Sequence, residues 1–63
     1  MPYTYRSHWS PEDREHVATV DEFPGLSWIA GTPAAALAGI HGIVAEVLVD
    51  MASTGETPPA PAA

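Results

Sequence analysis

Phe23-Pro24-Gly25-Leu26-Ser27-Trp28-Ile29-Ala30-Gly31-Thr32-Pro33-Ala34-Ala35-Ala36-Leu37 reads without a gap as a turn, a short strand and the capped start of a helix. Pro24 presets φ for a turn and Gly25 tolerates positive φ, so the chain passes from one strand into the apolar run 26–30. Thr32 is then placed as an N-cap, its hydroxyl accepting a bond from a backbone N–H of the first turn. Pro33 at the first helical position loses nothing by lacking an N–H of its own.

On the N-terminal side, Tyr3, Tyr5, Ser7 and Trp9 alternate with Thr4, Arg6, His8 and Ser10, which is the period of a strand with one buried face. Ser10-Pro11-Glu12-Asp13-Arg14-Glu15 contains no apolar side chain other than proline and reads as an exposed loop between antiparallel strands. His16-Val17-Ala18-Thr19-Val20 is the second strand, and Asp21-Glu22-Phe23-Pro24-Gly25 connects it to the third, over 26–30.

On the C-terminal side, Ala36, Leu37, Ile40, Ile43, Val44, Val47, Leu48 and Met51 recur at three- and four-residue steps, the stripe of an amphipathic helix. The opposite side carries His41, Glu46 and Asp50 but also Ala34, Ala38, Ala45 and Val49, an unusually apolar set for a face meant for water. Gly39 and Gly42 each cost about 1 kcal/mol against alanine in a helix. Either they admit a close neighbour or they occupy tolerant positions. Gly55 is a natural left-handed terminator, so the domain is expected over 1–55. The tail over 56–63, with three prolines, is expected to be extended, either as a free end or laid on a neighbouring subunit.

A chain of 63 residues is at most one domain, and at that size only about 60% of the unfolded surface is buried on folding. With no cysteine, neither a disulfide framework nor a thiolate metal site is available, so a homo-oligomer, dimer or tetramer, is expected to cover apolar surface. Eight acids face Arg6 and Arg14, with no lysine. That balance disfavours direct nucleic-acid binding, which rests on cations neutralising phosphates, so none is expected, and it favours a basic protein partner. The first residues lack the apolar core of a signal peptide, which points to the cytoplasm. The segment 26–45 carries no formal charge, but its alanines, glycines, Pro33 and His41, without flanking cations, argue against a membrane span.

Candidate chemistry is sparse. His8 and His16 are placed to face each other across the first two strands, and Asp13 or Glu15 would complete a metal site, but sheets pair residues this way routinely. His41 and Glu46 are five apart and do not share a helical face. No nucleophile setting or phosphate loop is present, so no enzyme activity, cofactor or metal is expected.

Tyr3-Thr4-Tyr5, Trp9-Ser10-Pro11-Glu12-Asp13, Val17-Ala18-Thr19-Val20, Phe23-Pro24-Gly25-Leu26 and Gly31-Thr32-Pro33 followed by Ala36-Leu37 occur here in an order that resembles the HicB-like antitoxins of type II toxin-antitoxin systems. The likeness covers residues 3–55. It implies an α+β fold of truncated ribonuclease-H-like type, β-β-β-α, with a three-stranded antiparallel sheet covered by one helix. It also implies a function: binding and blocking a small basic HicA-type mRNA-cleaving toxin. Members of that family commonly carry a DNA-binding segment after a linker; this sequence reaches Ala63 within what resembles that linker, so operator binding is not expected. Nor is nuclease activity, since the acids are expected in loops and on the helix rather than on strand faces. Charge nominates Glu12, Asp13 and Glu15 with Asp21 and Glu22 as partner-binding residues. The alternative is a self-associating structural or regulatory module without a toxin partner.

Overall fold

The computed structural model describes residues 3–61; residues 1–2 and 62–63, the outermost ends of the expected domain and tail, lie outside the described residues. Strands β1 (Tyr5–Ser10), β2 (Glu15–Val20) and β3 (Ser27–Ala30) precede a single helix, α1 (Pro33–Thr54). The strands form one antiparallel sheet in the order β1-β2-β3, with α1 packed across one face, so the architecture is the α+β arrangement that the sequence implies.

The starts of all three strands differ from the sequence reading. Tyr3 and Thr4 precede β1, although Asp21 still donates its backbone N–H to the Thr4 carbonyl at 3.0 Å, and Leu26 belongs to the turn, donating to the Phe23 carbonyl at 2.9 Å. Glu15 opens β2 instead of closing the loop, so one acid does lie on a strand. The β1–β2 hairpin pairs Tyr5 with Val20, Ser7 with Ala18 and Trp9 with His16; β2 pairs His16 with Ala30 and Ala18 with Trp28. Because side chains alternate along a strand, these residues share the face toward α1, whereas Arg6, His8, Val17, Thr19 and Ile29 share the open face.

The glycine of the Pro24-Gly25 turn does not use its freedom: Gly55 is the one glycine with positive φ among the described residues. The left-handed position falls instead on Arg14 (φ 54°), the residue that closes the hairpin into β2. The gain of the hairpin register outweighs the roughly 1–2 kcal/mol that an L-residue incurs there.

Helix α1 begins as its sequence dictates. Thr32 is extended (φ −134°, ψ 156°) and its Oγ1 accepts from the Ala35 backbone N–H at 3.1 Å, with Pro33 following. Removing that acceptor in Thr32→Ala is expected to lower stability by about 1 kcal/mol, measured by urea unfolding, whereas Thr32→Ser holds it. Gly55 (φ 76°) closes the helix, and Glu56 donates to the Met51 carbonyl at 2.9 Å. The core consists of Tyr3, Ala18, Val20, Ala36, Ile40 and Val44, flanked by Tyr5, Phe23, Leu26, Ala30, Leu37 and Leu48. Length and composition alone would let α1 cross a bilayer. In this fold its Ala36, Ile40 and Val44 stripe is buried on the sheet.

The tail does not project as a free end. Tyr3, 6% exposed, stands edge-on to Phe23 with ring centroids 5.5 Å apart, and its phenol donates to the Pro59 carbonyl at 2.8 Å. The chain therefore returns from the end of α1 to its own N-terminal segment, where the sequence reading allows either a free end or a contact with a neighbouring subunit. In Tyr3→Phe the ring stays and the bond goes, so stability to urea should fall by about 1 kcal/mol.

Candidate functional site

The five acids nominated by charge fall at two opposite ends of the sheet. Glu12 and Asp13 sit in the hairpin loop and Glu15 opens β2; Asp21 and Glu22 follow the far end of the same six-residue strand, roughly 20 Å away at the rise of an extended chain. A single small contact patch made of all five does not exist.

The two ends also differ in what their carboxylates hold. Asp21 receives Arg6 in a bidentate pair, Nε to Oδ1 at 2.9 Å and Nη2 to Oδ2 at 2.9 Å. This pair is solvent-exposed and raises the Arg6 pKa through its hydrogen bond and charge. Glu22 accepts the Thr4 backbone N–H at 2.9 Å and the Thr4 hydroxyl at 3.1 Å, extending the hairpin beyond its last strand residue. These two acids are structural staples. At the hairpin, Asp13 takes only the Ser10 hydroxyl, at 3.1 Å, and Glu12 is exposed.

His8 and His16 do not face each other across the first two strands. His8 pairs with Val17 and His16 with Trp9, a one-residue offset that sends the two imidazoles to opposite faces of the sheet. Among the described residues no three His, Asp or Glu side chains gather at metal-ligating distance. His16 instead stands edge-on to Trp9, with centroids 5.2 Å apart. His41 is more than a solvent-facing polar residue: it stacks on Tyr5, centroids 3.7 Å and planes 21° apart. Burial, and then the Glu22 and Tyr3 charges, raise the Tyr5 pKa, so the stacked phenol is neutral at physiological pH.

The outer face of α1 is the surface that charge reading missed. Among 22 helical residues only Ala36, Ile40 and Val44 are fully buried, and the far side exposes Val49 at 68%. Trp28 reaches up from β3 and lies against Gly39, where a Cβ would collide with the indole. The ring remains 42% exposed and borders a shallow depression with Ala38, Gly42, Ile43 and Glu46. A second depression follows one turn on, between Ala45, Glu46, Val49 and Asp50. The result is an apolar path from Trp28 to Val49, edged by two carboxylates at i and i+4 and by no cation of the helix. The signal was present in the sequence as the apolar back of the helix, but the contribution of Trp28 depends on which face of β3 it occupies.

Comparison with protein families, curated proteins and solved structures gives no match to this chain.

Proposed function

We propose that this chain is an antitoxin-like protein-binding module, without catalytic activity, that neutralises a small basic HicA-type ribonuclease by covering its RNA-binding surface. The observation that supports the reading most is the outer face of α1, where Trp28, Gly42 and Val49 offer apolar contact and Glu46 and Asp50 supply charge opposite to that of an RNA-binding protein. Solvent-exposed apolar patches rimmed by polar groups mark protein contact surfaces. An RNA-binding surface must be basic, and the net charge of −6 favours encounter with it.

Two roles divide among the acids. The hairpin carboxylates of Glu12 and Asp13 lie in solvent and, with the half-buried Glu15 beside them, steer association, while Glu46 and Asp50 flank the apolar contact itself. Steering accelerates association and is screened by salt; desolvated apolar contact slows dissociation. We read α1 as the core helix of a soluble cytoplasmic protein, because one stripe of it is already committed to the sheet.

The test uses a small lysine-rich protein encoded beside this gene, measured for RNA cleavage with and without the full chain. Inhibition at one-to-one stoichiometry is expected. Val49→Asp should weaken it at least about tenfold through faster dissociation, and Glu12→Lys with Glu15→Lys should slow association and flatten its salt dependence. Full ribonuclease activity in the presence of excess chain would refute the proposal. If the chain inhibits but Val49→Asp binds unchanged, the contact face assigned here is wrong.

A further inference from the structure

The two edges of the sheet are built differently. β3 is only four residues long and is followed at once by Gly31, with Pro33 soon after, which blunts it as a template for another strand. β1 is six residues long, with no proline, no lysine and no bulge in its pairing to β2. It is an open edge of the kind that soluble proteins usually protect.

The positions facing outward follow from the ladder. The bond from Asp21 N–H to the Thr4 carbonyl makes Thr4 and Asp21 a hydrogen-bonded pair, and such pairs alternate along an antiparallel ladder. Arg6, His8 and Ser10 therefore turn their backbone groups toward β2. Tyr5, Ser7 and Trp9 turn theirs away from the sheet, presenting three donors and three acceptors at the edge.

We infer that this edge pairs with β1 of a second copy about a two-fold axis at Ser7, joining two three-stranded sheets into one. The sequence of the strand is self-complementary about that residue. Antiparallel pairing places Ser7 against its own counterpart, where a small side chain meets no obstruction, and places Tyr5 opposite Trp9 at both ends. Trp9 is 52% exposed in the single chain and lies on the same face as the Tyr5–His41 stack, so each indole is covered by the aromatic pair of the other copy. On the opposite face Arg6 meets His8, with the Arg6 charge already held by Asp21 of its own chain.

Electrostatics permits this edge. Two copies of a chain with net charge −6 repel, but screening limits that repulsion to charges within about 8 Å at physiological salt. β1 carries none of the eight acids, so the paired strands themselves bring no carboxylates together; β3 carries none either, and its shorter length is what leaves β1 as the pairing edge. This pairing uses neither the outer face of α1 nor any toxin, and stands apart from the antitoxin reading.

Sedimentation of the full chain across a dilution series should show a dimer dissociating to a monomer, and hydrogen exchange at high concentration should protect the Tyr5, Ser7 and Trp9 amides as well as those of Arg6 and His8. Ser7→Pro deletes an outward N–H without touching the ladder to β2, and should raise the dissociation midpoint at least about tenfold in protein concentration. Ser27→Pro, the equivalent outward position of β3, should not. A monomer at millimolar concentration would overturn the inference. So would a dimer in which Tyr5, Ser7 and Trp9 amides exchange freely while Arg6 and His8 are protected. The exchange measurement needs no variant and decides the question even if Ser7→Pro does not fold.

Discussion

Ile40→Ala is expected to leave the protein largely unfolded at 25 °C, read as loss of the helical circular dichroism signal and collapse of the urea transition. Ile40 is fully buried and is the largest side chain so enclosed, standing where the Ala36–Ile40–Val44 stripe of α1 meets Ala18 and Val20 of β2. Truncating a buried isoleucine to alanine costs about 2–5 kcal/mol, the transfer free energy of the lost carbons plus the cavity they leave. A 63-residue domain has roughly 3–9 kcal/mol in total, so the loss takes most of the available stability. Val49→Ala on the same helix, at 68% exposure, should change stability by less than about 0.5 kcal/mol. An Ile40→Ala protein as stable as its parent would mean that this stripe is not the centre of the core.

The second large effect is a divergence between neighbouring turns of α1. Gly42→Ala should raise stability by about 1 kcal/mol, because the added Cβ meets open space and the residue gains helix propensity. Gly39→Ala gains the same propensity but drives the Cβ into the Trp28 indole, and overpacking of about 1–3 kcal/mol outweighs it. The ring must leave the helix, so its fluorescence should shift to the red, which separates a displaced Trp28 from a merely softened helix. In a domain of this size each kcal/mol moves the melting midpoint by about 4–8 °C, so the two variants should melt well apart on either side of the parent. Equal shifts in the same direction would show that Trp28 does not pack at Gly39.

These two experiments also separate two kinds of sequence information. Ile40 was legible as a core residue because it shares a 3.6-residue period with Ala36 and Val44. The role of Gly39 was not, since its partner comes from β3, eleven residues earlier, and only the face occupied by Trp28 decides between a close neighbour and a tolerant site. The structure resolves that choice differently at the two glycines: Gly39 admits an indole, and Gly42 admits nothing.

The candidate surface divides in the same way. Acid-rich segments are visible in any sequence, but charge gives no distance, and β2 sets Glu12, Asp13 and Glu15 apart from Asp21 and Glu22 by its own length. Two of those acids are already bonded to Arg6 and Thr4, contacts made across the hairpin rather than along the chain. Glu46 and Asp50 gained meaning only when the inner stripe of α1 was seated on the sheet and its back was left beside Trp28.

The order of three strands and a helix, and the helix ends at Thr32 and Gly55, were determined by the sequence alone, because alternation, periodicity and capping act within a few residues. Register, the lie of α1 over the sheet, the Tyr5–His41 stack and the return of Pro59 to Tyr3 were decided by the tertiary structure. Each depends on which surfaces meet across long stretches of chain. Local preference shapes an element but does not choose its neighbour; burial of apolar surface and completion of hydrogen bonds between distant segments make that choice.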